Sequence, residues 1–553
     1  MSCRRRFWHA VALGATLQLT SIGAPAEEEA ALHQYLRARI ESLELSESLR
    51  IDGVELAAKA LLPQVYAAAQ FQPLWAEPKQ VDELLRAIAD MQLDGLDPQD
   101  YHFDRLQRLR AELQATPDPA GAVDLDLLLT DALARVAYHA HYGKVDPERL
   151  DETWNLQHEW KGRRGADALL ELVHNPALYA EIERLKPQRP IYRKLRDALA
   201  QYRAYEAAGA WPTIPAGPTL VLHDHDARVP AVRHRLALSE DLAKSLDDGD
   251  ERFDGPLLEA LERFQRRHAL PSGKLDAATI QALNLPATTW VDQLRVNLER
   301  ARWILPLEEP TFVLVNIAAF EIYFVKDGQR VWTQPVQVGR AFAQTPLFRD
   351  EIQYFVLNPT WTVPPGMLAD TILPNAKKNP AYVRKRGLRV YDRRGREVAP
   401  ESVSWRKYTA SNLPYRLTQP AGAENALGAV KFMFPNPHHV YLHDTPNQPG
   451  FDEHVRTTSS GCIRVKDPLE LAEHLAAGSE WTPDAIAAQV KSGKTKTVYL
   501  AQPIPVYLLY WTAEVSEDGA LRFYPDVYDR DRPVLSALDE APRPHKERRR
   551  AAN

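Results

Sequence analysis

A single cysteine stands in the body of the chain, inside the stretch TTSSGCIRVKD. The chain has 553 residues and two cysteines, Cys3 and Cys462. A cysteine nucleophile needs a base or cation that favours thiolate, a group that orients the base, and donors for the oxyanion. It also needs space for substrate, and Gly461 has no side chain to fill the space beside the thiol. Cys462 is therefore a candidate nucleophile, against the ordinary alternative of a small buried hydrophobe.

Histidines that could act as the base lie shortly before this cysteine, in HHVYLHDTP. In an extended strand, His439, Tyr441 and His443 would share one face, because successive side chains alternate. His443 lies at the end of the predicted strand, a common place for a catalytic group. His454 is a third candidate, and each of the three could also be an ordinary surface or half-buried histidine. Spacing alone does not choose among them.

The residues after Cys462 predict the element that fixes its position. Asp467 is a suitable N-cap, Pro468 fits the first helical position, and Glu470 fits the third. They open a predicted helix, PLELAEHLA. The cysteine is thus expected on a short strand or turn that runs directly into a helix.

The N-terminus predicts a secreted protein. Arg4–Arg6 form a positive region, Phe7–Leu19 is mostly apolar, and Ala24–Ala26 fits a small-residue cleavage site. Residues 1–26 are therefore predicted to be a signal peptide, with the periplasm as destination; an uncleaved membrane anchor is the alternative. Cleavage would remove Cys3 and leave one thiol in an oxidising compartment. Such a thiol pairs with another chain or stays reactive.

Composition excludes one large class of partner. Lys+Arg is 68 and Asp+Glu is 74, a formal net charge of −6. A nucleic-acid-binding domain is normally basic, so nucleic acid is not an expected partner. The length predicts three or four domains.

The first half of the chain has helical periodicity. Residues 30–210 predict a helical scaffold domain, followed by a small helical module at 211–290. Asp276 is a predicted N-cap for the helix AATIQAL. Within 254–286, the words ALERFQRRHAL and LDAATIQALN resemble the small three-helix peptidoglycan-binding domain of wall enzymes.

From residue 311 the pattern changes to β-branched and alternating residues. Asp327-Gly328 is a strong hairpin signal. Residues 311–510 predict a β-rich domain, with a polar, basic insertion at about 375–430 that could act as a lid. Residues 511–553 predict a hairpin around Asp518-Gly519 and a basic tail. The predicted fold class is α+β.

Several words in a fixed order in 311–510 resemble the catalytic domain of the L,D-transpeptidases. They are VGR and TPLF at 338–348, NPTWTVPP at 358–365, NALGAVKFMFPN at 425–436, YLHDTP at 441–446 and SSGCIRV at 459–465. With the helical regions before it, the chain resembles the large multidomain periplasmic subfamily, which has a peptidoglycan-binding domain. The general family motif has a histidine where this chain has Ser460, so the role of Ser460 is left open.

The resemblance implies an acyl-transfer mechanism that needs no cofactor and no metal. Cys462 would attack a tetrapeptide stem, with His443 as its proton partner in a thiolate–imidazolium pair. The backbone carbonyl of Asp444 would orient His443. Amides of Cys462 and Gly461, with the Tyr441 hydroxyl, would form the oxyanion site.

The resemblance also implies ligands and roles outside this core. Arg464 would hold the loop or meet a substrate carboxylate, with a structural salt bridge as the alternative. The implied partners are donor and acceptor peptidoglycan stems, and carbapenems as covalent inhibitors. The implied processes are peptidoglycan synthesis, wall organisation and cell shape.

Three functions stay open at this point. The first is 3→3 cross-linking, and the second is L,D-carboxypeptidase or cross-link hydrolase activity through the same pair. The third is a non-catalytic wall-binding scaffold, which would have no need of a thiol and an imidazole. The sequence also leaves open the acceptor, the oligomeric state and whether a wall synthase is a required partner.

Overall fold

The computed structural model describes residues 24–46, 50–156, 165–305, 309–516 and 518–542. Residues 1–23 of the predicted signal peptide (1–26) and the basic tail from residue 543 lie outside them. Within the described part, every helix is too short or too polar to cross a bilayer. A helical half precedes a β-rich half, so the predicted α+β class is confirmed.

The N-terminal part is helical because its apolar residues recur at helical spacing. Val81, Leu84 and Ile88 are buried on one face of α3, and that helical segment ends where Gly95 adopts φ +79°. A two-stranded hairpin, β1 (Arg50–Ile51) and β2 (Val54–Glu55), lies beside the helices. The helices are α1 (Ala24–Ser46), α2 (Leu62–Ala68), α3 (Pro78–Asp90), α4 (Phe103–Ala115), α5 (Pro119–Tyr142), α6 (Pro147–Leu150), α7 (Ala166–Val173), α8 (Leu178–Leu185) and α9 (Pro190–Ala207).

The next region forms a small hydrophobic core of its own, from Ile214 to Leu283. Its helices are α10 (Val229–Leu238), α11 (Gly255–Arg267) and α12 (Ala277–Leu283). The Asp276 side chain accepts a hydrogen bond from Thr279 N, so the predicted N-cap is confirmed. A long helix, α13 (Ala287–Ile304), then leads to the sheet, and its buried face shares one core with the scaffold helices and the sheet.

The β-rich half is built on one nine-stranded sheet. Its order is β13-β5-β14-β12-β11-β6-β15-β3-β4, and β4 also pairs with β5, so the sheet closes on itself. The strands are β3 (Phe312–Asn316), β4 (Glu321–Lys326), β5 (Gln329–Gly339), β6 (Phe348–Leu357), β11 (Val430–Met433), β12 (Leu442–His443), β13 (Thr457–Ser459), β14 (Ile463–Val465) and β15 (Lys496–Leu509). The helices α17 (Pro468–Leu475) and α18 (Pro483–Lys491) lie between β14 and β15 along the chain.

Both predicted hairpins form. Asp327 and Gly328 have φ of +51° and +79° and join β4 to β5 with Lys326 opposite Gln329. The second hairpin joins β16 (Ala513–Val515) to β17 (Leu521–Phe523) and contains Gly519 at φ +87°. The chain continues into α19 (Asp531–Asp539).

An inserted unit separates β6 from β11 along the chain. It has a core of its own between Trp361 and Leu427, and residues 361–427 are called the insertion below. It begins earlier than the predicted lid at about 375, because β7 (Trp361–Thr362) pairs with a later strand of the insertion, Arg416–Gln419. Pro365 and Pro374 stand at helix starts and break the run into short pieces, which hides helical periodicity. Its other elements are α14 (Pro365–Met367), α15 (Leu373–Lys378), α16 (Ala381–Lys385), β8 (Arg389–Tyr391), β9 (Glu397–Val398) and β10 (Arg416–Gln419).

Candidate active site

Two parallel strands bring the predicted cysteine and histidine to one face of the sheet. β12 pairs with β14 so that Leu442 faces Ile463 and His443 faces Arg464. Cys462 directly precedes β14, and Ile463 N donates to Tyr441 O at 3.2 Å. Side chains alternate along each strand, so His443 and Cys462 lie on the face opposite the buried Leu442 and Ile463.

The strand around the histidine is shorter than the sequence predicts. His439 has φ +56°, which places it in a left-handed turn before β12 and outside the extended stretch. The expected face therefore holds only Tyr441 and His443, whose ring centroids are 5.6 Å apart. The ring of His439 is exposed and so is that of His454. Of the three candidate bases, only His443 lies on the strand beside the cysteine.

The thiol of Cys462 is free and half-buried. It donates to the carbonyl oxygen of His439 at 3.8 Å. Burial raises the pKa of the Cys462 thiol, while hydrogen bonding from Tyr441 and the charge of Arg464 act in the lowering direction. The pKa of the Tyr441 hydroxyl shifts upward, first because the group is buried and then because Cys462 lies beside it.

The imidazole of His443 is buried and held by a backbone carbonyl. Its Nδ1 lies 2.5 Å from Asp444 O, and a carbonyl can only accept, so Nδ1 carries the proton and Nε2 is left as the base. Burial, followed by the charge of Arg464, lowers the pKa of His443 to about 3. Both pKa shifts favour a neutral thiol and a neutral imidazole. The expected thiolate–imidazolium pair stays a prediction.

The backbone around the cysteine is held by Ser459, a residue for which the sequence predicts no role. Ser459 Oγ donates to Cys462 O at 2.5 Å and accepts from Gly461 N at 3.1 Å. Gly461 adopts φ +113°, which favours glycine. Since the Gly461 amide is already engaged, it is a poor candidate for the oxyanion site. The Cys462 amide has no hydrogen-bond partner among the described residues and keeps that expected role open.

A second set of contacts reaches the same loop from the C-terminal segment. Thr345 Oγ1 donates to Gly461 O at 2.9 Å and accepts from Gly339 N at 3.0 Å. Tyr528 then holds this corner, because its hydroxyl donates to Gly339 O at 2.6 Å and accepts from Thr345 N at 3.3 Å. Thr345 opens the word TPLF, so the sequence carried a signal for it. Nothing local in the sequence pointed to Tyr528.

The same corner is tied to the helical scaffold through Arg530. Its guanidinium donates to Gln344 Oε1 at 3.0 Å and forms an ion pair with Asp151. Asp151 follows α6, so the scaffold contributes directly to the frame of the cysteine loop.

Arg464 is held by neutral groups. Its Nη1 donates to Gln337 Oε1 at 3.0 Å and to Thr458 Oγ1 at 3.4 Å. In the part of the chain that the structure describes, no carboxylate pairs with it, so the alternative of a structural salt bridge is wrong. Burial lowers the pKa of Arg464, and nearby Arg340 adds to that effect.

The helix after the loop starts differently from the prediction. Asp467 adopts φ +47° and its side chain makes no capping hydrogen bond, so the prediction that it caps the helix is wrong. Glu470 instead accepts from Trp332 Nε1 at 2.8 Å. A turn into α17 still follows Cys462 as expected.

The remaining predicted residues have clear places. The Asp444 carboxylate accepts from Ala429 N at 2.8 Å and Thr445 N at 2.7 Å, while its carbonyl meets His443. Ser460, at the family's histidine position, is exposed. Among the described residues, no cluster of three or more acidic, histidine or cysteine side chains is placed to hold a metal ion.

Two family profiles match the chain, in the order of its two halves. A scaffold domain matches residues 60–199, and an L,D-transpeptidase catalytic domain matches residues 310–494. A curated protein of Haemophilus influenzae that carries a provisional L,D-transpeptidase name is 26% identical over 481 residues. That alignment covers 87% of this chain and 80% of the relative.

Solved structures of the same family are also found, at low similarity. An L,D-transpeptidase from Mycobacterium smegmatis is 13% identical with a TM-score of 0.18, covering 36% of this chain and 58% of that one. A carbamoyl enzyme formed with avibactam is also 13% identical, with a TM-score of 0.18. That match covers 40% of this chain and 63% of the other. The chain thus spans about three fifths of those two proteins, and TM-scores this low support no argument about its fold. On the match of the family profile, which a relative of the same name supports over most of the chain, residues 310–494 form a catalytic domain of the L,D-transpeptidase family.

Proposed function

We propose that this protein forms 3→3 cross-links between peptidoglycan stem peptides through a thioester on Cys462. The observation that carries the proposal is the parallel pairing of β12 with β14, which sets His443 opposite Arg464, two residues after Cys462, so that His443 and Cys462 share one face. The fixed tautomer of His443, with Nε2 as the base, supports the same chemistry.

Acylation would begin from the neutral pair. Cys462 Sγ attacks the carbonyl of diaminopimelate, the third residue of a tetrapeptide stem, as its proton passes to His443 Nε2. The Cys462 amide and the Tyr441 hydroxyl are the proposed donors to the oxyanion. When the intermediate collapses, the amide C–N bond breaks, His443 returns the proton to the departing D-alanine amine, and the thioester remains.

Transfer to the acceptor would reverse the proton path. The side-chain amine of diaminopimelate in a second stem loses a proton to His443 and attacks the thioester carbonyl. The C–S bond breaks, and His443 protonates the leaving sulfur. The product is an amide between two third-position residues.

Placement in the cell follows from the same proposal. We propose a periplasmic enzyme, in keeping with the signal pattern at residues 1–26 and a wall substrate. The helices at 211–290, with their separate core, are the proposed wall-binding module. The insertion is the proposed lid, because it leaves the sheet between β6 and β11, and Lys431 of β11 lies opposite His443.

The test is incubation of purified protein with disaccharide tetrapeptide, followed by mass analysis of the products. A cross-linked dimer minus one D-alanine is the expected product. Tripeptide alone, with no dimer at any substrate concentration, would replace the proposal with an L,D-carboxypeptidase. Unchanged substrate would leave only the wall-binding scaffold.

A further inference from the structure

The charge of the insertion is opposite in sign to that of the rest of the chain. Residues 361–427 contain twelve Lys and Arg against five Asp and Glu, a net charge of +7. The whole chain has a net charge of −6, so the remainder has −13. A unit with this asymmetry attracts anions toward the part of the molecule that carries it.

Most of these cations have no acidic partner. Three ion pairs form within the insertion: Arg384 with Glu401, Arg389 with Glu397, and Arg396 with Asp392. In the insertion, all of which the structure describes, nine other cations pair with no carboxylate. Eight of them are exposed and are called the basic surface: Lys378, Lys385, Arg386, Arg393, Arg394, Arg406, Lys407 and Arg416.

The insertion also adjoins the candidate active site. It leaves the sheet after Leu357 and returns at Val430, which pairs with Leu357. Tyr441 packs against both the insertion core and the main core. A ligand in the active site would therefore lie close to the insertion.

Cations at the site itself extend this pattern. Lys431, beside His443 on the next strand, lies over the Tyr441 ring at 5.8 Å. Like Arg464 and the exposed Arg340, Lys431 has no carboxylate partner in the described part of the chain. Unpaired cations at the site and on the insertion fit a ligand with several negative charges.

The surface chemistry favours a water-soluble polyanion over a membrane. No large apolar side chain of the insertion is exposed, whereas proteins that lie on a bilayer bury apolar residues in it. The stem peptides of the wall present free carboxylates at D-alanine and diaminopimelate, repeated along each glycan strand. Repeated weak contacts with such a polymer add up by multivalency.

We infer that the basic surface of the insertion is a docking surface for intact peptidoglycan, through the carboxylates of stems neighbouring the one that reacts. This inference rests on the proposed wall substrate. It assigns the insertion a second role beside that of a lid, namely retention on the polymer between reactions.

The experiment measures binding without turnover, by co-sedimentation of the Cys462→Ala protein with purified sacculi at 50, 150 and 500 mM NaCl. The test variant adds Lys385→Gln, Arg386→Gln, Arg393→Gln and Arg394→Gln. The control variant removes the same charge from exposed positions elsewhere: Arg149→Gln, Lys326→Gln, Lys491→Gln and Lys494→Gln. Equal thermal unfolding midpoints check that all three proteins are folded.

We expect the test variant to bind sacculi about tenfold more weakly at 50 mM NaCl, and the difference to vanish near 500 mM. The control variant should bind like the parent. Amidation of the sacculus carboxylates should remove the difference between test variant and parent.

Two results would overturn the inference. One is equal binding of the test and control variants to sacculi at low salt. The other is that the test variant loses binding only to phosphatidylglycerol vesicles and not to sacculi, which would assign the basic surface to a membrane. Because binding is measured without the thiol, either result leaves the separate product assay of the proposed function untouched.

Discussion

The cysteine loop and the insertion stand side by side but are built in opposite ways. The loop around Cys462 is tied to the main frame by Ser459 from within and by Thr345 from outside. The insertion has a core of its own and leaves nine of its twelve cations without acidic partners. From this difference we expect the reaction rate to depend on the hydrogen bonds that hold the cysteine loop. We expect wall binding to depend on the basic surface of the insertion.

The largest expected effect is loss of the thiol. Cys462→Ala should abolish product formation and keep the fold, since only one atom is removed and the hydrogen bond that it donates, to His439 O, is a weak one. Product analysis by mass is the measurement. Ser460→Ala is the matched control, because its side chain is exposed next to the loop, and it should retain activity. Near-normal product from Cys462→Ala would place the chemistry elsewhere.

Covalent trapping tests the same atom by a different route. A thiol that accepts an acyl group from an amide should also open a strained β-lactam, and a bulky acyl group should persist where an amine normally attacks. We expect one carbapenem adduct on the intact protein, mapped to the peptide containing Cys462. An adduct on Ser459 or Ser460, or one that survives Cys462→Ala, would contradict the assignment.

The next largest effect concerns the base. His443→Ala should slow acylation by about 10²–10⁴-fold, the usual value of general acid–base help. His439→Ala is the control, because His439 offers the thiol its carbonyl and not its ring. The rate of carbapenem acylation, followed by intact mass, measures both. Equal losses, or a larger loss at His439, would remove His443 from its role.

Features set by neighbouring residues were predicted correctly, and those set by distant contacts were not. The Asp276 N-cap and the Asp327-Gly328 turn depend on a few residues each, and both form. The predicted N-cap at Asp467 failed because the backbone there is left-handed, and Glu470 of α17 accepts a hydrogen bond from Trp332 of β5.

The candidate site divides in the same way. Residue types and the family resemblance selected Cys462 and His443, but their placement on one face depends on a parallel strand pairing that spacing could not reveal. Burial shifts the pKa of both groups toward the neutral form, and the charge of Arg464 adds to that shift at His443 but opposes it at Cys462; these are tertiary properties. Tyr528 lies far from Cys462 along the chain and contacts the cysteine loop through Thr345. No local sequence pattern therefore predicted its role.

A smaller loss of activity should follow when the hydrogen bonds of Tyr528 near the cysteine loop are removed. Tyr528→Phe leaves Gly339 O and Thr345 N without the hydroxyl, at a cost of about 1–3 kcal/mol in stability. We expect about tenfold slower acylation, since small misplacement of a nucleophile is costly. Tyr499→Phe, at an exposed tyrosine, is the control for the substitution itself.

A kinetic split tells a positioning role from a general loss of fold. For Tyr528→Phe, kcat should fall while KM changes little, and Thr345→Val should behave alike. Thr345→Ser keeps the hydroxyl and should recover most of the rate. A fall in thermal midpoint with an unchanged acylation rate would show that this corner stabilises the fold without positioning the cysteine.

The smallest expected effect is that of pH on the acylation rate, which we expect to change little near neutrality. In the proposed mechanism the reactive form has neutral Cys462 and neutral His443. It predominates above the His443 pKa of about 3 and below the raised pKa of the thiol. Carbapenem acylation should therefore stay flat from about pH 5 to pH 8, where an ordinary histidine would titrate at about 6.5. Arg464→Gln sharpens the test, because loss of its charge should raise the pKa of His443 and move the acidic limb upward. A step near pH 6.5 in the parent protein would mean that His443 is far less buried than its position on β12 implies.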